Sequence, residues 1–272
     1  MFFTDKGKCY WVKVYDIPEG GRAAKGRAIV NLIGCEPDEK VSAFIGVKQD
    51  QFHDDHFVVM ATEKGIVKKT KLSAYSNPRK KGIYAVEIRE GDSLIEARVS
   101  NGENDILLGT TNGKSIRFSE EQIRPSGRKT MGVKGITLSS PDDKVVGMLL
   151  IKREGTVLVA TENGFGKRTE IIQYRAQKRG GKGVLTMKTT DKIGKMITIK
   201  EVVGTDDLMI IRDDGVLIRM PVSQIRSIGR ATQGVKLIKL AEGTKVSAIT
   251  RIISEEEKTA DEPKDSPEPQ EG

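Results

Sequence analysis

Val157-Leu158-Val159-Ala160, then Asn163-Gly164, then a basic strand leading to Arg168: this stretch is an apolar run, a turn and a return run. An Asn-Gly pair between such runs is a hairpin signal, because the turn that fits strand twist needs positive φ at its central residues. The pattern recurs along the chain. Turn glycines preceded by Lys, Asn or Asp stand at Gly7, Gly65, Gly113, Gly164 and Gly215, about 50 residues apart, the spacing of a repeat array. A second glycine follows each of them in step, at Gly26, Gly82, Gly132, Gly183 and Gly234.

Outward from the hairpin, the pattern predicts strands throughout. Apolar runs precede the other turns, as in Phe57-Val58-Val59-Met60, Ile106-Leu107-Leu108 and Leu208-Met209-Ile210-Ile211. After the second glycine, apolar side chains stand two apart: Val30 and Leu32, Val86 and Ile88, Ile136 and Leu138, Ile238 and Leu240. That is the period of a half-buried third strand. A fourth strand follows an acidic or glycine turn, as in Val145 to Ile151. The expected fold is therefore all-β, with about five four-stranded blades (about 1–50, 57–104, 105–155, 156–206 and 207–253) forming one propeller-like domain over 1–253. Residues 254–272 are Glu, Asp, Pro and Lys with almost no apolar side chain, which predicts a disordered acidic tail.

The net charge of +8 understates the basicity of the blades, because that tail holds eight acids and two lysines. The blade cations fall at repeated places. Four residues after the turn glycine stand Trp11, Lys69, Arg117, Arg168 and Arg219. The loops before the second glycine carry Arg22 and Lys25; Arg79, Lys80 and Lys81; Arg124, Arg128 and Lys129; Arg175, Lys178, Arg179 and Lys182; and Arg226 and Arg230. The fourth loop is the sharpest copy: Gln177, Lys178, Arg179, Gly180, Gly181, Lys182 and Gly183 place three cations and three glycines in seven residues. Equivalent positions in a ring lie at equivalent radius, so the loops predict a positive rim for double-stranded DNA.

Base readout is not expected, since no recognition helix is visible and every loop offers similar side chains. With 5% aromatics, Trp11, Tyr84 and Tyr174 are assigned to blade packing rather than to stacking on bases. Catalysis finds no support either. His53 and His56 are the only histidines, and there is no Gly-x-Ser-x-Gly, P-loop or aspartate cluster. Cys9 and Cys35 lack metal-ligand spacing and are expected as packed thiols of a reducing compartment. No apolar run approaches 18 residues and the start has no cationic lead, so the expectation is a cytoplasmic protein with no membrane partner.

These residues resemble the C-terminal domain of gyrase A, the cleaving half of DNA gyrase. The likeness covers Phe2 to about Ile253 and rests on Gly7 to Tyr10, Lys25 to Leu32, Ala61 to Thr70, Ala160 to Thr169 and Gly229 to Val235. It implies a β-pinwheel whose blades exchange strands, wrapping DNA around its basic rim so that the holoenzyme introduces negative supercoils. The implied partners are the remainder of gyrase A and gyrase B in the bacterial cytoplasm, associated with the nucleoid. The tyrosine nucleophile, ATP and Mg would belong to other parts of that enzyme, leaving no cofactor here. Two departures stand out. The family's Gln-Arg-Arg-Gly-Gly-Lys-Gly box usually lies in the first of about six blades, whereas Gln177 to Gly183, with Lys178 for the first arginine, lies in the fourth unit. Phe2-Phe3 matches the start of the family's second blade, so the first blade is expected to be missing. Alternative readings are a C-terminal domain of the topoisomerase IV type, less similar in these stretches, and a protein-binding propeller, whose Trp-Asp and Gly-His marks are absent.

Overall fold

The computed structural model describes residues 1–20 and 27–252. The first unit supplies β1 (Phe2–Thr4), β2 (Lys8–Tyr10) and β3 (Val41–Phe44); the second β4 (Phe57–Thr62), β5 (Ile66–Lys71), β6 (Ile83–Tyr84) and β7 (Leu94–Ser100). The third supplies β8 (Asp105–Thr110), β9 (Lys114–Ser119), β10 (Val133–Lys134) and β11 (Val145–Ile151); the fourth β12 (Thr156–Thr161), β13 (Phe165–Glu170), β14 (Val184–Leu185) and β15 (Met196–Val202). The fifth supplies β16 (Asp207–Arg212), β17 (Leu217–Pro221), β18 (Val235–Lys236) and β19 (Val246–Ile252). The long runs read as hairpins are hairpins, with register such as Leu158 opposite Arg168.

The units do not make their sheets alone. Sheet order is β3-β1-β2-β6, β10-β5-β4-β7, β11-β8-β9-β14 and β15-β12-β13-β18, so each short third strand joins the sheet of the preceding unit. The periodic glycines are where that exchange happens. Gly113 has φ 76°, and its carbonyl accepts from the N–H groups of Thr186 (2.7 Å) and Met187 (3.0 Å) in the following unit. A Cβ on Gly113 would lie 2.0 Å from the Met187 carbonyl oxygen. Gly183, the partner mark, has φ 70°, and a Cβ there would lie 2.4 Å from the Ser115 carbonyl oxygen. Both positions need a residue that tolerates a left-handed backbone and presents no side chain to the approaching strand.

Exchange corrects two sequence expectations. The stretch with Val30 and Leu32 is not a third strand but a helical turn, α1 (Val30–Ile33), closed by Gly34 at φ 60°. A third strand forms only on a hairpin edge offered by a preceding unit, and among the described residues none is offered here. The fifth sheet has three strands, β17-β16-β19, rather than four, since among the described residues none is donated to its outer edge. Its edge strand β17 is correspondingly exposed, with Leu217 59% accessible.

Four apolar cores lie between successive sheets, typified by Phe3 with Tyr75, Val67 with Ile116, Val157 with Met187, and Leu158 with Ile210. Strands β3, β7, β11, β15 and β19 pack one on the next at the inner edges of their sheets, while β6, β10, β14 and β18 form the outer edges. The architecture is thus propeller-like, with an axis and a rim. Tyr174 is buried and Trp11 packs on the Tyr75 ring at 6.2 Å, as expected of blade packing. Tyr84 does not follow: it sits on rim strand β6 and is 52% exposed. Cys9 is buried, which pushes its thiol pKa up, and Cys35 is half-buried. No helix among the described residues is long and apolar enough to cross a membrane.

Candidate nucleic-acid interface

The basic loops run from the second strand of each hairpin to the exchanged rim strand, which places them at the outer edge between neighbouring sheets. Arg79, Lys80, Lys81, Arg124, Lys129, Arg175, Lys178, Lys182 and Arg226 are exposed, and none forms an ion pair with another described residue. The rim strands add Lys134 and Lys236, both exposed and unanticipated from sequence. Their signal was present at the second residue after Gly132 and Gly234, inside what reads as ordinary strand pattern. Arg22 and Lys25 lie outside the described residues.

The other register of cations turns inward. Arg117 pairs with Asp105 at 2.7 Å and its Nη1 donates to the carbonyls of Ile171 and Tyr174, both 3.3 Å away in the next unit's loop. Arg168 repeats the contact one unit on, Nε donating to the Ile225 carbonyl at 2.8 Å. Lys69 is 4% exposed, 3.7 Å from the buried Glu120 carboxylate, with its ammonium over the Phe57 ring. The spacing of these three predicts rim charge, and they act instead as clamps between units. A charge four residues past the turn meets the bare carbonyls of the neighbouring 3₁₀ turn, and satisfying those carbonyls away from water stabilises the junction. Arg219, in the last unit, pairs with Asp207 at 2.5 Å and stays exposed.

Two further lysines escape a sequence reading because strand patterning gives no hint that a lysine is buried. Lys68 is 1% exposed and donates to the carbonyls of Ala85 (2.6 Å) and Arg128 (2.5 Å). Burial, with the Arg128 charge nearby, pushes its pKa down to about 7. Lys167, fully buried, donates to the carbonyls of Gly229 (2.6 Å) and Arg230 and to Thr232 Oγ1 at 3.1 Å. Burial and Arg230 push it down to about 8. Each anchors the next unit's basic loop from below, so the loop's own arginine is held with its backbone fixed.

Within the Gln177 to Gly183 box the roles divide. Arg179 is half-buried and spends its guanidinium on the preceding unit, Nε to the Gln122 carbonyl at 2.9 Å and Nη1 to the Lys134 carbonyl at 3.0 Å. Arg230 makes the equivalent contact with the Leu185 carbonyl at 2.9 Å. Gln177 is half-buried, its N–H donating to the Arg117 carbonyl at 2.8 Å. Gly180 donates its N–H to the Gly135 carbonyl at 2.6 Å and is therefore not open to an anion. Gly181 accepts from Thr137 N–H at 2.9 Å. Lys178 and Lys182 remain as the outward charges.

A family model described as "DNA gyrase C-terminal domain, beta-propeller" matches residues 1–46, 56–101, 104–152, 155–202 and 206–252, one match for each unit. The chain belongs to the DNA gyrase C-terminal domain family. Similar curated proteins include the gyrase A proteins of Staphylococcus epidermidis, 44% identical over 94% of this chain, and of Staphylococcus aureus, 43% identical over 98%. The matched part is 29% and 30% of those proteins, so the chain spans under a third of the length of these gyrase A relatives. Two solved structures share the fold: the C-terminal domain of DNA topoisomerase IV (TM-score 0.83, 23% identity, 92% of this chain and 78% of that one) and the DNA gyrase A C-terminal domain (0.80, 21%, 93% and 81%). The blade exchange expected from the resemblance to gyrase is seen here strand by strand.

Proposed function

We propose that this gyrase-family domain binds duplex DNA by its backbone along the rim and bends it, serving as the non-catalytic wrapping part of a type II topoisomerase that introduces negative supercoils. The observation that carries this reading is the row of exposed, unpaired cations on the rim loops of four successive units, from Arg79 through Lys129 and Lys178 to Arg226. Flexible lysines and arginines that meet no carboxylate are free to neutralise phosphates, and their repetition fits a smooth bend better than a read sequence. Bending a 20–30 bp site by 40–90° costs on the order of 1–6 kcal/mol, an amount several phosphate contacts offset. In this reading the rest of gyrase A and gyrase B supply strand cleavage and the ATP and Mg chemistry, in the bacterial cytoplasm.

Binding of random-sequence duplex, measured by anisotropy across a salt series, tests it. With about six to ten phosphates neutralised, affinity falls about 10³–10⁵-fold between 50 and 200 mM salt, with little preference among sequences. A flat response to salt would remove the rim from the account.

A further inference from the structure

The axis of the domain holds charge that the rim function does not use. The inner strands β3, β7, β11, β15 and β19 all contribute to one cavity of 1260 Å³. Arg98 on β7, Lys152 and Arg153 just past β11, Lys200 on β15 and Arg251 on β19 line it, against Glu103 and Glu201.

These cations are unevenly compensated. Arg98 lies 3.5 Å from Glu96 and Arg153 2.9 Å from Asp206. Lys152 meets the Val99 carbonyl at 3.0 Å, and Arg251 the Glu201 carbonyl at 3.1 Å. The Glu201 carboxylate accepts from the backbone N–H groups of Lys152 and Arg153, both at 3.1 Å. The Lys200 backbone pairs in the β12–β15 ladder, while its ammonium forms no hydrogen bond or ion pair with a described residue and feels the charge of Glu96. Burial lowers the pKa of Lys152, Lys200 and Arg251; the like charge of Arg98 or Arg153 adds to the lowering, and the carboxylates of Glu96 (on Lys200), Glu120 and Glu201 (on Lys152), and Asp206 and Glu201 (on Arg251) oppose it. The five cations face the lining carboxylates of Glu103 and Glu201, with Glu96 and Asp206 each paired to one arginine, which leaves a small positive excess inside low-dielectric walls, where an anion is favoured. At 1260 Å³ it exceeds the roughly 300–1,000 Å³ of most small-ligand pockets, so a small anion would occupy only part of it.

We propose that the axial cavity is a binding site for one small multivalent oxyanion of the polyphosphate class, held by Lys152, Lys200 and Arg251. The site is separate from the rim, so anion and duplex have different residues to lose.

Inorganic pyrophosphate is the probe, titrated calorimetrically into the full chain at constant ionic strength. The chain, its rim variant Lys178→Gln/Lys182→Gln and its axial variant Lys200→Gln/Arg251→Gln are compared. Expected is one pyrophosphate per chain for the parent and the rim variant, with Tm raised by about 5–10 °C at one hundred times Kd. The axial variant should lose at least about tenfold in affinity, since hydrogen bonds to charged groups contribute about 1.5–3 kcal/mol each. Undiminished pyrophosphate binding by the axial variant, loss of binding in the rim variant, or no saturable binding by the parent would each overturn the proposal.

Discussion

Replacing Arg79, Lys80, Lys81, Lys129, Lys178 and Lys182 by Gln lowers duplex affinity by about 10³–10⁵-fold at 100 mM salt and flattens the salt slope by about five, if each side chain neutralises one phosphate. All six are exposed and none carries an ion pair among the described residues, so the melting temperature should barely move. The contrast is with the inward cations. Arg168→Met removes a donor to the Ile225 carbonyl and frees the loop that holds Arg226. It should therefore act mainly on stability, by about 1–3 kcal/mol, and hardly on the salt slope. A six-residue variant with the parent's slope would mean that the exposed loop cations do not touch phosphate.

Gly113→Ala should be among the most destabilising single changes available in this chain. The position sits at φ 76°, where a side chain costs about 1–2 kcal/mol before any contact is counted. A Cβ 2.0 Å from the Met187 oxygen then forces β14 away from β9, and with it the two hydrogen bonds from Thr186 and Met187. The total expected is about 3–5 kcal/mol, lowering Tm by roughly 6–20 °C. Gly215 provides the control. It occupies the same turn at φ 85° but has nothing within 4 Å, since no strand among the described residues is donated to the fifth sheet. Gly215→Ala should cost only the backbone term, about 1–2 kcal/mol. Equal losses at the two positions would mean that the exchange contact contributes nothing.

The two glycine marks were legible because each serves a backbone requirement that recurs once per unit, and such requirements leave a periodic trace. Which sheet receives the third strand left none. A strand that folds back and a strand donated to its neighbour have the same spacing and the same alternation, so Val133 and Lys134 read alike in either case. The misreading at Val30 to Ile33 has the same origin: local pattern favours a strand, but an exchanged strand exists only where another unit offers an edge. For the cations, periodicity gave the address and not the direction. Lys178 and Arg179 are adjacent in sequence, yet the first faces out and the second is drawn onto the carbonyls of Gln122 and Lys134. Carbonyls carry no sequence signature, so the clamps at Arg117, Arg168, Lys68 and Lys167 could be found only once the neighbouring loop was in place. The axial cations were hidden for another reason. Arg98 and Lys200 stand among the apolar residues of fourth strands, where each reads as a solvent-facing alternate.

Photocross-linking along the rim tests the central claim most directly. A photoreactive residue is placed in turn at Lys80, Lys129, Lys178 and Arg226, and as a control at exposed Asp50 in the connection between the first two units, each on an otherwise unchanged chain with a saturating random-sequence duplex. The account predicts cross-links to DNA from all four rim positions, lost together as salt rises, and little from position 50. Strong cross-linking at position 50 with none at the rim would contradict it.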